Sequence, residues 1–97
     1  MANMLIRHRV DDYDAWKKVF DEFIDTRRAA GEKSWRIWRT DDDANNLVLL
    51  FGWDTIENAK AFFASAELKA TMENAGVAEP PEVYFLEEVN RGKTAAA

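Results

Sequence analysis

The sequence predicts an α+β fold whose elements follow the order β-α-β-β-α-β. Three observations predict it: four short segments alternate like strands, two longer segments space their apolar residues like helices, and turn residues separate them. As a split pair of β-α-β units, this order gives a ferredoxin-like, antiparallel four-stranded sheet with two helices on one face. We expect residues 1–90 to form this single domain and residues 91–97 to be a disordered tail.

The first strand is expected over residues 4–10. Its more apolar face carries the only histidine and three apolar residues: His8, Met4, Ile6 and Val10. Three residues alternate onto its other face: Leu5, Arg7 and Arg9. The first and last strands of this order are antiparallel neighbours, so we expect a charge ladder between the two arginines and the acidic pair Glu87 and Glu88.

The first helix is expected to begin at Tyr13, after a capping aspartate, and to continue to about Ala30. At roughly 100° per residue, one arc of its surface forms a core-facing stripe. That stripe consists of Tyr13, Trp16, Phe20, Phe23, Ile24 and Arg27. Gly31 is the expected end of the helix, because glycine enters the left-handed conformation without steric cost.

Two strands joined by a polar turn are expected next, over residues 35–40 and 47–53. Residues 41–46, mostly aspartate and asparagine, form the turn. The second of these strands is nearly all apolar, and a strand that is apolar on both faces is usually covered on both. We therefore expect it to be central in the sheet.

The second helix is expected to begin after Asp54, with Glu57 completing a capping box, and to end before Gly76. Ser65 has the side chain of a helix cap in the middle of this segment, so we expect a bend there. The apolar stripe of this helix consists of Ile56, Ala59, Phe63 and Ala66. Two prolines then exclude helix and precede the last strand, residues 82–89.

The composition of the chain restricts the partners it can bind and the compartment in which we expect it. The formal net charge is −5, with 18 acidic and 13 basic residues, which disfavours nucleic acid and anionic membrane surfaces. The absence of cysteine excludes disulfides and thiol chemistry and fits a reducing compartment. The N-terminal residues lack the apolar core of a signal peptide, and no stretch approaches a membrane span. We expect a cytoplasmic protein with neither nucleic acid nor membrane as a partner.

The apolar content predicts a second buried surface. Apolar residues make up 47% of the 97 residues, including four Trp and six Phe, whereas a domain of this size buries only roughly 60–65% of its unfolded surface. Some large side chains must therefore line a pocket or an interface. The sheet face away from the helices carries part of this surplus, and a homodimer formed through that face would cover it.

His8 is the candidate catalytic residue. It is the only side chain whose ordinary pKa allows it to act as an acid and a base near neutrality, and its strand face points toward the aromatic stripe of the first helix. The functional interpretation is a general base or a donor that orients a ligand. The structural interpretation is a hydrogen-bonded core histidine, because no carboxylate close in sequence is placed to orient it.

The candidate ligand-binding residues surround that face. Arg27 interrupts an apolar stripe, so it either clamps a carboxylate or phenolate of a ligand or packs as an ordinary cation at a helix end. The other candidates are aromatic rings that can stack on a planar ligand, each with plain packing as its alternative: Tyr13, Trp16, Phe20, Phe23, Trp35, Trp38, Phe51, Trp53 and Tyr84. No metal or other cofactor is expected, because zinc, calcium and phosphate motifs are missing.

One stretch resembles a known family. Residues 53–55, Trp-Asp-Thr, are followed by Ala59 and by residues 63–69, Phe-Ala-Ser-Ala-Glu-Leu-Lys. This resembles the Trp-Glu-Ser…Ala-Ser-Pro-x-Leu-Lys pattern of antibiotic-biosynthesis-monooxygenase-like proteins, which belong to the dimeric α+β barrel superfamily. The sequence departs from the family at two positions, because the frequent helix histidine aligns with Phe62 and a glutamate aligns with Phe51.

The resemblance implies a location more than a reaction. Relatives bind small hydrophobic ligands between the helices and the sheet of each subunit, and their other sheet faces meet in the dimer. The superfamily includes cofactor-free monooxygenases, cyclases, isomerases and stress-responsive proteins. The leading hypothesis is therefore a cofactor-independent enzyme acting on a small aromatic or polyketide-like ligand. The alternative is a non-enzymatic homodimer that binds a small ligand or responds to stress.

Overall fold

The structure, a computed structural model, describes residues 2–95. The strands are β1 (Ala2–Arg9), β2 (Glu32–Thr40), β3 (Asp43–Trp53) and β4 (Glu82–Glu87). The helices are α1 (Tyr13–Glu22), α2 (Ile24–Ala30), α3 (Ile56–Phe63) and α4 (Ala66–Asn74). The strands form one antiparallel sheet of order β2-β3-β1-β4, which confirms the predicted α+β architecture and the central position of β3. The predicted tail lies partly outside the described residues, at positions 96 and 97.

The predicted first helix is in fact two helices that meet at Phe23. The backbone N–H of Phe23 donates to both Val19 O, at 3.1 Å, and Phe20 O, at 3.3 Å. The same Phe20 carbonyl also accepts a hydrogen bond from the Arg27 guanidinium. The break thus coincides with a backbone carbonyl that serves a buried arginine, and periodicity in the sequence does not report such a contact.

The predicted bend in the second helical segment is confirmed. Ser65 separates α3 from α4, and its Oγ accepts from the backbone N–H of Leu68 at 3.1 Å. The predicted cap at Asp54 is wrong by one residue. Thr55 is the cap, accepting from the N–H of Asn58, because the Asp54 carboxylate is occupied by Thr55 N–H and the Asn58 amide.

The apolar stripe of α3 is shifted from its predicted position. Ala59 is buried as expected, but Phe62 fills the core beside it and Phe63 is only half-buried. Ala66 is exposed, because the break at Ser65 changes the direction of the helix before that residue.

Most strand boundaries differ by a few residues from the prediction. β2 begins at Glu32 instead of residue 35, and β3 begins at Asp43, so that only Asp41 and Asp42 form the turn. β4 ends at Glu87 instead of residue 89, and β1 ends at Arg9. Val10 lies beyond β1, in an isolated bridge to Val77.

The helices cover one face of the sheet. On β1 and β3 the residues of this face are buried, and they include the predicted set on β1: Met4, Ile6, His8, Leu47, Leu49 and Phe51. Trp16 and Phe20 of α1 and Ala59 and Phe62 of α3 pack against them. His8 therefore lies on the sheet face that the helices cover, together with Met4 and Ile6, as predicted from their alternation.

The predicted charge ladder has the wrong partners. β4 pairs with β1 so that Arg7 lies opposite Glu82, to which it forms an ion pair at 3.1 Å, while Glu87 lies opposite Ala2. Arg9 instead pairs with Asp43 and Glu79. The strands are neighbours as expected, but their register is set by side chains on the helix face and not by this pattern of charges.

None of the helices within residues 2–95 is both long enough and apolar enough to span a membrane.

Gly31 provides a test of the helix end. Its φ is +123°, and a Cβ at this position would collide with the Asp54 carboxylate. We expect Gly31→Ala to lower the free energy of unfolding by about 1–3 kcal/mol, measured by denaturant titration. Gly92→Ala is the matched control, because nothing lies within 4 Å of that position. Equal stabilities of the two variants would contradict the left-handed conformation of Gly31.

Candidate functional site

A cavity of about 60 Å³ lies between the helices and the sheet. Its wall is mostly aliphatic and aromatic, with polar groups from four side chains: His8, Arg27, Glu32 and Thr71. The apolar part of the wall consists of Met4, Ile6, Trp16, Val19, Phe20, Phe23, Leu49, Phe51, Phe62, Leu68, Met72 and Ala75. An apolar enclosure with a few polar groups is the usual composition of a small-molecule site.

The structure brings six of the eleven predicted site residues to this cavity: His8, Trp16, Phe20, Phe23, Arg27 and Phe51. Each of the other five lies elsewhere, and Trp38 is 46% exposed on β2. Tyr13 packs beside Trp16 and under the guanidinium of Arg39. Trp35 lies on the edge strand β2, where its ring meets Phe20 edge-on and lies 5.3 Å from the Arg27 guanidinium.

Trp53 and Tyr84 are separated from the cavity for different reasons. Trp53 is fully buried in the core against Phe62, and its indole N–H has no hydrogen-bond partner among the described residues. Tyr84 lies opposite Leu5 on the sheet face away from the helices, where it is 53% exposed. Its position in β4 gives it the opposite orientation to Val83 and Phe85.

His8 is buried in the wall of the cavity, with 4% of its surface exposed. Neither ring nitrogen has a hydrogen-bond partner among the described residues, and the ring meets the indole of Trp16 edge-on, with 5.6 Å between centroids. Burial, and to a smaller extent the charge of Arg7, lowers the pKa of His8 to about 4. At neutral pH the imidazole is therefore uncharged, with one N–H donor and one acceptor nitrogen.

Arg27 and Glu32 form a buried ion pair at the cavity wall. Arg27 Nε donates to both carboxylate oxygens, at 3.0 and 3.1 Å, and Nη1 donates to the Phe20 carbonyl. Nη2 has no partner among the described residues. Burial raises the pKa of Glu32, and the neighbouring Arg27 opposes that shift. The pair is thus a nearly neutral unit with the NH2 group of Nη2 unused.

Stacked rings connect these two polar positions. Trp16 and Phe20 are stacked, with 5.0 Å between centroids, and the Arg27 guanidinium lies 3.7 Å from the centroid of Phe20. His8 contacts the Trp16 end of this pair. A single wall of α1 therefore links the histidine to the arginine.

Sequence reasoning missed Glu32, Leu68, Thr71 and Met72. Glu32 had a usable signal, because an arginine in an apolar stripe requires an anion, and an acidic residue follows the helix end at Gly31. The three α4 residues had none: α4 contains no buried residue, and its contribution to the cavity depends on how it packs over the sheet.

Comparison with known proteins identifies the fold through solved structures but finds no relative by sequence. Neither the protein-family models nor the curated proteins that were searched contain a significant match to this sequence. Solved structures do match.

Three examples, each covering more than nine tenths of the chain, illustrate the match. One is a candidate antibiotic biosynthesis monooxygenase from Bordetella bronchiseptica, with a TM-score of 0.75 and 18% identity over 92% of this chain and 97% of the other. A second antibiotic biosynthesis monooxygenase has a TM-score of 0.70 and 13% identity, covering 93% and 100%. A variant of SnoaB, a cofactor-independent oxygenase from Streptomyces nogalater, has a TM-score of 0.73 and 14% identity, covering 93% and 94%.

The chain has the fold of antibiotic biosynthesis monooxygenases. This confirms the resemblance at the level of fold. At such low identity the likeness carries no information on the reaction, which must be argued from the cavity itself.

The buried His8 predicts an acid-sensitive stability. The folded protein favours the neutral imidazole, so the unfolded chain binds the extra proton between its ordinary pKa of 6.5 and the folded pKa of about 4. As the pH falls through this window, His8 should remove about 3 kcal/mol of stability.

The matched variant is His8→Phe, which keeps a ring and removes the titration. We expect the unfolding free energy of the native protein to fall more steeply between pH 6.5 and pH 4 than that of the variant, as measured by denaturant titration. Parallel curves would show that His8 titrates normally.

Proposed function

We propose that this protein is a cofactor-independent enzyme of the monooxygenase, cyclase or isomerase type, with the His8 cavity as its active site. The observation that carries the proposal is a buried histidine on a cavity wall with both ring nitrogens unpartnered among the described residues. Buried polar groups in native proteins are nearly always hydrogen-bonded, so such a group calls for a specific explanation. A ligand that bonds to the ring supplies one.

The role proposed for His8 follows from its charge. An imidazole with a pKa of about 4 is neutral at physiological pH, so its acceptor nitrogen is free to take a proton from a bound ligand. Its N–H can at the same time polarise a carbonyl, as neutral histidines do in other enzymes. The low pKa makes it a weak base, which suits a ligand whose proton is already acidic, such as an enol or a phenol.

The size of the cavity restricts the ligand. Pockets for drug-sized molecules measure roughly 300–1,000 Å³, well above the 60 Å³ here. A polyketide-like ligand would therefore enter only if α4 moved, since Leu68, Thr71 and Met72 of that helix complete the wall. α4 suits such a movement, because it has no buried residue and lies between a break at Ser65 and a left-handed glycine at position 76.

A non-enzymatic ligand-binding protein is the second candidate. One observation favours it: no carboxylate hydrogen-bonds to His8 among the described residues, so nothing fixes its tautomer for proton transfer. This candidate predicts binding in the same cavity without turnover.

A ligand screen read by thermal shift tests the site. We expect small enols, phenols and carbonyl compounds to raise the melting temperature of the native protein and to leave that of His8→Phe unchanged. Lys18→Ala, at an exposed position on α1, is the control and should respond like the native protein. Equal shifts in all three proteins would place the ligand outside the cavity. Oxygen uptake or product formation with a compound that binds then separates the enzyme from the binding protein.

We further propose that the functional unit is a homodimer formed through the open sheet face. That face carries large apolar side chains that the helices do not cover: Leu5, Trp38, Val48, Leu50, Tyr84 and Leu86. Trp38 is 46% exposed and Leu86 is 38% exposed. A second copy would bury these residues in a self-complementary interface.

Positive charge introduced on the open sheet face should separate the subunits of the dimer. We expect Trp38→Lys combined with Tyr84→Lys to sediment as a monomer where the native protein sediments as a dimer, because the two lysines would be desolvated without partners. Ala15→Lys, on the exposed surface of α1, should remain dimeric. A native protein that sediments as a monomer would contradict the proposed assembly.

A further inference from the structure

We propose that the His8 cavity selects a compact, uncharged ligand that presents one hydrogen-bond donor beside at least one acceptor, such as a short hydroxy-carbonyl compound, an enol or a primary amide. This inference rests on the proposed function, because it assumes that the cavity is a ligand site. It goes beyond that function by excluding charged ligands and ligands with acceptors alone.

The hydrogen-bonding groups of the cavity determine the donor and the acceptor. Neutral His8 presents one acceptor nitrogen and one N–H, and Arg27 Nη2 presents N–H groups only. Thr71 offers no free donor, because its hydroxyl proton is given to the Glu67 carbonyl at 2.9 Å, and its oxygen can only accept. A ligand that satisfies these groups must give one proton to the imidazole and accept from the imidazole or the guanidinium.

The balance of charge around the cavity excludes an anionic ligand. Arg27 is already neutralised by Glu32, at 3.0 Å, and both side chains are only 4% exposed. Arg7, the other cation whose charge acts on His8, lies on the opposite sheet face and is paired with Glu82. An anionic ligand would therefore be an uncompensated charge in an apolar enclosure, which is among the most costly arrangements in a protein.

The volume of the cavity limits the size of the ligand. A cavity that holds one water needs about 10–15 Å³ on this measure, so 60 Å³ has room for roughly four to six water molecules or a ligand of similar bulk. The Trp16 and Phe20 rings belong to the apolar wall of that space. A small neutral compound such as a primary amide fits this volume without any movement of α4.

Three molecules of nearly identical size and shape test the inference. Acetamide is neutral and has both a donor and an acceptor, acetone has the acceptor alone, and acetate carries a charge. His8 is the only histidine, so its two ring nitrogens give unambiguous NMR signals in the native, full-length protein. We expect acetamide to shift these signals at pH 7 with a midpoint about tenfold lower than that of acetone or acetate.

A control variant and a second ligand series make each outcome decisive. Lys18→Ala, at an exposed position of α1 outside the cavity wall, should keep the preference for acetamide. Acetate or acetone binding as tightly as acetamide would overturn the selectivity and leave the proposed site intact. Binding of single-ring phenols alone would overturn the size limit and leave the site intact. If no compound of either series moves the His8 signals, the cavity holds water only, and the proposed function falls with the inference.

Discussion

The rest of the structure depends on the burial of one cation, the guanidinium of Arg27. An arginine taken out of water must be paired with an anion, because an uncompensated buried charge costs the fold several kcal/mol. Here the pairing uses three different parts of the chain: Glu32 at the start of β2, the carbonyl of Phe20 in α1, and the ring of Phe20 beneath the guanidinium plane. A single side chain thereby fixes α1, α2 and β2 to one another.

The same pairing determines the chemistry of the cavity. Because Nε and Nη1 are committed to Glu32 and Phe20, the guanidinium cannot rotate, and Nη2 is left as a donor in a fixed position. Its charge is cancelled at the site, so the cavity is polar without being charged. Phe20, which supports the arginine, stacks on Trp16, and Trp16 contacts His8. Structural packing and site geometry therefore share these contacts.

Local patterns in the sequence predicted those features that depend on neighbours along the chain. Alternation on β1 placed His8 on the helix face, and the hydroxyl of Ser65 predicted the break between α3 and α4. Three features escaped prediction because they depend on contacts that alternation and helical spacing do not report. The break at Phe23 coincides with the Arg27 contact, the partner of Arg7 follows from the register of β4, and Tyr84 faces away from the cavity for the same reason.

An unpartnered histidine in a folded core has an energetic consequence for binding. Each buried polar group left without a hydrogen bond costs about 1–3 kcal/mol, and His8 is held on a central strand that cannot turn its side chain outward. The folded protein therefore carries a cost that water or a ligand in the cavity can offset. A ligand that hydrogen-bonds to both ring nitrogens of His8 recovers more free energy than its apolar contacts alone would supply. A ligand that bonds to neither nitrogen leaves the cost of the unpartnered groups in place. Discrimination by hydrogen bonding is thus built into the fold at a position where apolar packing would have been more stable.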